Sequence, residues 1–315
     1  MASTRAEPPN DHLVWKSTEV DGRTALYGVA GEGQPLVFLH GWGLGQHSYK
    51  RALKRLVHLG CKVFAPALPG FGGSAELPKE RFTLEGYGRW VEGFLDAVGL
   101  GADEPDFLVG HSFGGAVSIQ FAHDHQERVR TLVLINSVGG SAWSKPGPGG
   151  AVKSMAQRPL WDWGLHFPSD ILPIPHLTRV LPVILEDALP NLLRNPRALW
   201  KAANLARRAD LTVELEELRR RHLPVVVLWG EQDRIIPRAS FDALCAAIGS
   251  EGEVVSGNHS WLLADPEAFG EVMTNVVAVA DVAREAEAAK PRRGSRRPRQ
   301  LPALPGAKPG DELSA

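Results

Sequence analysis

The sequence predicts an α/β protein: a mostly parallel, doubly wound sheet carrying an inserted helical cap. Short apolar runs alternate with longer segments of helical spacing, and Gly- or Pro-marked turns close the runs. One stretch, residues 137–223, interrupts that rhythm without a strand signal. Apolar residues make up 43% of the 315, enough for a large core, and charged residues 23%.

Residues 12–16 and 24–29 read as an antiparallel hairpin turning at Asp21-Gly22. Residues 35–39, 61–65, 107–109, 132–135 and 225–228 are β-branched runs too short for helices, so they read as buried strands, and residues 253–255 as a last one. Leu84, Trp90, Val91, Phe94, Leu95 and Val98 fall at helical spacing. Residues 113–125 and 241–248 behave alike, and a further helix starts near Asp265-Pro266. A structureless loop as long as 137–223 does not fit a compact domain. After a Gly- and Pro-rich start at 139–150 it turns helix-like at 171–188, 196–208 and 213–221. The expected organisation is a core of 12–136 and 224–282, with 137–223 as the cap.

Residues 1–11 are polar and read as flexible, with no basic start leading into an apolar stretch, so no secretory signal is expected. No apolar run is long enough to span a membrane. Residues 283–315 read as a disordered basic, Pro-rich tail; from 290 on they hold seven Lys/Arg, two acidic residues and five prolines. Its Arg292, Arg293, Arg296, Arg297 and Arg299 are either simply solvated or a weak contact for RNA, anionic lipid or an acidic partner. The whole chain has 35 basic and 36 acidic residues, a balance that argues against a specific nucleic-acid partner. Cys61 and Cys245 are too few for a disulfide framework or a zinc site. A reduced, cytoplasmic setting follows as the expectation.

Gly110-His111-Ser112-Phe113-Gly114 places a serine between a strand and a helix. A sharp turn there projects the hydroxyl above the sheet, over a helix N-terminus that favours negative charge. A serine nucleophile needs a base, and the base needs an acid to orient it. His259, in Gly257-Asn258-His259, follows the last strand. Asp233, in Trp229-Gly230-Glu231-Gln232-Asp233, follows strand 225–228, so both lie at the carboxyl edge of the sheet. Glu231 competes for the acid role; Asp233 is favoured because Ile235-Ile236-Pro237 would anchor its loop. His40-Gly41-Trp42-Gly43 follows strand 35–39, and the Trp42 and Phe113 backbone amides are the expected oxyanion donors. The Trp42 side chain would line the pocket or pack on the cap, and His40 would bond loop backbone. His123-Asp124-His125 reads as a solvated helix end rather than a metal site. No metal or cofactor is expected, since no dinucleotide or P-loop motif occurs.

These motifs, in the order Ser112, Asp233, His259, resemble the α/β-hydrolase superfamily. Pro69-Gly70-Phe71-Gly72-Gly73-Ser74 is similar to that family's P-G-x-G-x-S turn after its fourth strand, and the resemblance spans roughly residues 13–282. It implies a helical cap after the sixth strand, in the position of 137–223. It also implies a serine hydrolase acting through an acyl-enzyme on Ser112. Ser112 at the elbow disfavours dehalogenases and epoxide hydrolases of this fold, which need aspartate there. Trp143, Trp161, Trp163 and Trp200, with Trp42 and Trp261, suggest an apolar pocket, or a packed cap. The expected substrate is a small or medium apolar carboxylic ester. Carbon–carbon bond hydrolysis is an alternative, with Arg179, Arg194, Arg197, Arg207 and Arg208 as candidates for a substrate carboxylate. A slow-turnover ligand receptor is another, and haloperoxidase or perhydrolase chemistry a side activity.

Ending the chain near Ala289 is expected to leave the melting temperature and the rate on soluble esters nearly unchanged. Thermal unfolding of the full and shortened chains checks this; a loss of more than a few degrees would mean that the tail docks on the folded body.

Overall fold

The computed structural model describes residues 10–102, 104–143, 152–159, 162, 166, 181–182 and 184–288. Expectations for 1–9 and 289–315, for the cap tryptophans Trp161 and Trp163, for Arg179 and for most of 171–188 lie outside them. Eight strands form one sheet in the order β1-β2-β4-β3-β5-β6-β9-β10. They are β1 (Val14–Val20), β2 (Arg23–Ala30), β3 (Gln34–Leu39), β4 (Cys61–Pro66), β5 (Phe107–His111), β6 (Thr131–Ile135), β9 (Val225–Gly230) and β10 (Glu253–Val255). A two-residue pair, β7 (Ala142–Trp143) and β8 (Lys153–Ser154), stands apart from it.

The sequence expectation for β1 was too short and too early. The strand pairs along its whole length with β2, from Val14↔Val29 to Val20↔Arg23. Its turn has Asp21 at φ 51° and Gly22 at φ 68°, the left-handed pair that a two-residue hairpin requires. β2 runs antiparallel to β4, and every later pairing in the sheet is parallel.

Period-two alternation explains why the parallel strands read as continuous apolar runs: both faces are covered. Val37, Leu39, Leu108, Leu132, Leu134, Val227 and Trp229 face one cluster. Their neighbours Leu36, Phe38, Phe107, Val109, Val133, Ile135 and Leu228 face the other. The first face is covered by α2 (Leu84–Ala97), α3 (Phe113–Asp124) and α7 (Arg238–Ile248). The second is covered by α1 (Lys50–His58), the short α8 (Trp261–Ala264) and α9 (Pro266–Ala288). Thr83 caps α2 by accepting the Gly86 amide, and Gly249 at φ 69° ends α7.

The insertion between β6 and β9 holds a π-helical turn (Ile184–Ala188), α4 (Leu189–Arg194), α5 (Pro196–Arg208) and α6 (Thr212–Arg220). Two expected boundaries move. Helix α6, expected inside the cap, packs on α3 and α7, and its Leu215 and Leu218 join the core. Parallel strands need a covering crossover, and α6 supplies it between β6 and β9. At the other end α9 continues to Ala288, past the core limit expected at 282. The β7–β8 pair is a further departure, since no strand was expected between 137 and 223.

Leu108 lies in central β5 with no exposed surface. Leu108→Ala is expected to lower unfolding stability by about 2–5 kcal/mol, read as a lower urea midpoint with unchanged slope.

Candidate active site

β5 delivers Ser112 to a tight corner. The residue has φ 53° and ψ −116°, a conformation that a side chain resists. The turn around it is held by backbone bonds: Ser112 N–H donates to Ile135 O at 3.0 Å, and its carbonyl accepts from Val138 N at 3.2 Å. Helix α3 starts directly behind, so the Phe113 amide is one of the first-turn donors without a partner inside the helix. A Cβ on Gly114 would land on the carbonyl oxygens of Leu39 and His40. Only glycine lets the start of α3 touch the end of β3, which brings the His40–Gly43 loop beside the serine.

His259 and Asp233 arrive from β10 and β9. His259 Nε2 stands 3.0 Å from Ser112 Oγ, and Nδ1 stands 2.8 Å from Asp233 Oδ2. Asp233 is 5% exposed. Its Oδ1 accepts from the Ile235 and Ile236 amides at 2.8 and 2.9 Å, and its Oδ2 accepts from Asn136 Nδ2 at 2.6 Å. An ionised carboxylate only accepts, so the imidazole proton belongs on Nδ1 and the Nε2 lone pair faces the serine hydroxyl. The rival Glu231 is exposed, with Oε1 3.5 Å from Ser256 Oγ.

The Ile235 anchor expected from sequence is therefore made by its amide. Buried Arg158 holds that loop from outside, donating to the carbonyls of Ile235 and Arg234 at 2.6 and 2.8 Å while pairing with Asp162.

Trp261, expected to border the substrate, is placed otherwise. It is 3% exposed, packs edge-on to Phe269, and donates its indole N–H to Asn136 Oδ1 at 2.8 Å. Proximity to His259 in sequence does not carry over, because α8 turns the ring toward the core behind Asp233. Asn136, which sequence reading missed, links Trp261 to Asp233. It is fully buried at φ 44°, a left-handed position that asparagine tolerates. An isolated asparagine after a strand carries no motif that would have flagged it.

The His40–Gly43 loop is held from both sides. Leu68 N–H donates to His40 Nε2 at 2.9 Å, so His40 Nδ1 carries the proton and donates to Gly41 O at 2.8 Å. Gly41 C=O and Trp42 N–H belong to one planar peptide, so fixing the carbonyl aims the amide. The half-buried Trp42 packs on the cap: its indole donates to Leu199 O at 2.7 Å. Asn191 donates to the Gly43 and Leu44 carbonyls at 3.1 and 3.2 Å and accepts the Gly72 amide at 2.9 Å. Asp187 accepts from Ser48 N and Oγ at 2.8 and 2.5 Å. The cap thus helps to hold the loop that carries Trp42.

Other candidates disperse. Trp143 is buried and Trp200 is 59% exposed. Arg194, Arg197 and Arg208 are exposed, and Arg207 bonds the Ala156 carbonyl. His123 pairs with Asp124 and His125 with Glu92, on separate partners. Among the described residues no cluster of His, Cys, Asp and Glu is fit to hold a metal, and no helix is long and apolar enough to cross a membrane.

Asn136→Ala removes one donor from a buried carboxylate and orphans the Trp261 indole. Stability is expected to drop by about 1–3 kcal/mol, read by urea unfolding.

Burial depresses two neutral histidines of the site, His40 to about 4 and His111 to about 3, against an ordinary value of ~6.5. The unfolded chain takes up these protons first as the pH falls. Their contribution to stability is complete above about pH 6.5 and is lost as the pH drops through the folded values, by up to about 1.4 kcal/mol per pH unit for each group. Urea midpoints at pH 7.5 and 5 check this, with the lower midpoint expected at pH 5.

The model of the alpha/beta hydrolase family matches residues 36–272. The chain is 28% identical to a putative non-heme haloperoxidase of Mycobacterium phage D29 over 261 residues, 80% of this chain and 91% of that one. It is 29% identical to the 2-hydroxy-6-oxo-6-phenylhexa-2,4-dienoate hydrolase of Comamonas testosteroni, over 67% of this chain and 75% of that one. It is also 28% identical to a pimeloyl-[acyl-carrier protein] methyl ester esterase of Neisseria meningitidis, over 76% of this chain and 91% of that one. With that match, over strands and loops that assemble in the expected order, the chain belongs to the alpha/beta hydrolase family.

Proposed function

We propose that this chain hydrolyses a small or medium apolar carboxylic ester through an acyl-enzyme on Ser112. One observation carries the proposal: the unbroken row from Asp233 through His259 to Ser112, at 2.8 and 3.0 Å. Ser112 Oγ attacks the ester carbonyl while His259 Nε2 takes its proton. The oxyanion then sits against the Trp42 and Phe113 amides, each such donor being worth ~2.7–4 kcal/mol in other enzymes. The new imidazolium, held by Asp233, passes its proton to the leaving alkoxide. Water enters by the reverse sequence, with His259 as base again, and the acid departs.

Ester cleavage is supported by the methyl ester esterase among the relatives. The dienoate hydrolase among them keeps carbon–carbon cleavage as a second reading. That chemistry would need a cation for the substrate carboxylate; of the five candidates Arg194, Arg197 and Arg208 are exposed, Arg207 bonds the Ala156 carbonyl, and Arg179 lies outside the described residues.

A chain-length series of p-nitrophenyl esters, run beside a phenyl dienoate, separates the two readings. Turnover of the esters that disappears in Ser112→Ala is expected; turnover of the dienoate alone would replace the ester assignment. Asp233→Asn is expected to lower kcat by about 10⁴-fold, because the amide stabilises the wrong imidazole tautomer. Glu231→Gln is expected to stay within about twofold of the unaltered chain. The opposite pattern would move the acid role to Glu231.

A further inference from the structure

Three loops meet at Ser112, and two buried side chains outside the row join them. Gly41 N–H donates to Tyr49 Oη at 3.0 Å. Tyr49 Oη lies 2.8 Å from His111 Nδ1, and His111 Nε2 lies 2.9 Å from the carbonyl oxygen of His259. Tyr49 has no exposed surface and His111 1%. The positions lie far apart in sequence: 62 residues separate Tyr49 from His111, and 148 separate His111 from His259.

The protons in this chain have one arrangement. A carbonyl oxygen only accepts, so His111 Nε2 carries hydrogen and donates to His259 O. Burial keeps the His111 ring neutral, so Nδ1 is a lone pair. Tyr49 must then donate its hydroxyl hydrogen to Nδ1, and its oxygen accepts from Gly41. Burial raises the Tyr49 phenol well above its ordinary range, so the hydroxyl keeps that hydrogen. Every donor has an acceptor, and the direction runs from the Gly41 loop to the base loop.

A Cβ on Gly41 would stand 2.9 Å from His111 Nδ1 and 3.2 Å from Tyr49 Oη. Glycine serves here for this close approach and not for its backbone angle, since Gly41 does not have a positive φ. The residue that opens the Trp42 peptide is therefore shaped by Tyr49 and His111.

We propose that Tyr49 and His111 are positioning residues, which lock the Gly41–Trp42 loop and the His259 loop into one register about Ser112. The proposal rests on the reading of Ser112 as a nucleophile. Neither side chain exchanges a proton with substrate. Their effect is geometric: with the chain broken, the base and the proposed oxyanion donor drift independently relative to Ser112 Oγ. A misplacement of about 1 Å at such a site costs on the order of a hundredfold in rate.

The test uses the rate of Ser112 phosphonylation by a fluorophosphonate probe, which needs no knowledge of the natural substrate, with kcat and KM on the best ester alongside. Tyr49→Phe keeps the ring and removes only the hydroxyl. It is expected to slow labelling and kcat by about tenfold to a hundredfold, with KM within about twofold. His111→Phe is expected to do the same, and the double variant to be about as slow as either single one, because one chain is broken once or twice. His111→Gln, whose amide can still donate toward His259 O, is expected to recover to within about fivefold of the unaltered chain.

Labelling within twofold of the unaltered rate in Tyr49→Phe overturns the proposal, and this variant decides alone if His111→Phe does not fold. Fully multiplicative losses in the double variant overturn it too, as does a change confined to KM. Ser112→Ala is run in parallel. Undiminished labelling there would sink the nucleophile assignment itself, a failure distinct from that of Tyr49 and His111.

Discussion

The carboxylate of Asp233 accepts four hydrogen bonds, and the geometry of the site hangs from them. Two come from the amides of its own loop, one from Asn136 and one from His259. With the acceptor fixed, the imidazole can present only one nitrogen to Ser112. Neighbouring elements then hold the frame of that carboxylate. Asn136 directly follows β6, Trp261 braces Asn136 from α8, and Arg158 ties the Asp233 loop to the insertion. Two backbone amides and two side chains thus donate to one buried anion, whose charge needs donors in place of water.

Sheet order explains why the parts meet. β3 has β4 on one side and β5 on the other, so the chain reverses its direction of travel across the sheet there. Loops at the carboxyl ends of β3 and β5 part at such a point, the place where open α/β sheets carry their sites. Ser112 and the His40–Gly43 loop border it, while the loops after β9 and β10 bring Asp233 and His259 from the far side. The insertion reaches the same place through Asn191 and Leu199, which bond the Trp42 loop, and through Asp187, which bonds Ser48 just beyond it, rather than through the Ser112 turn. Under the proposed chemistry, seating the cap and shaping the oxyanion pocket are coupled, and the buried strain at Ser112 is carried by β5, α3 and β6.

Much of this was legible in the sequence, for physical reasons that can be named. Strands β3, β5 and β6 are apolar on both faces, a pattern that only a covered parallel sheet requires. Ser112 announced itself through the glycines that a strand-to-helix corner needs. Asp233 and His259 followed from the demand for a base and an acid at the same sheet edge. What stayed hidden depends on contacts between distant positions. Asn136, Tyr49, His111, Arg158 and Asn191 show no local pattern, and each acquires its place only once separate loops are packed together. Trp261 shows the opposite fault: its neighbour in sequence suggested a pocket wall, whereas the start of α8 turns its ring into the core. Helix α6 has a spacing that is simply helical, and spacing does not say whether a helix will cover the sheet or join the cap.

The central claim is that Ser112 carries the acyl group during turnover. The direct measurement is acid quenching of the enzyme within the first turnovers of its best p-nitrophenyl ester, followed by peptide mass mapping. The account predicts an added acyl mass on the peptide that contains Ser112, absent from Ser112→Ala. An acyl group on a different residue, or hydrolysis in step with enzyme concentration and no adduct under conditions that trap a deacylation-limited ester, would contradict it.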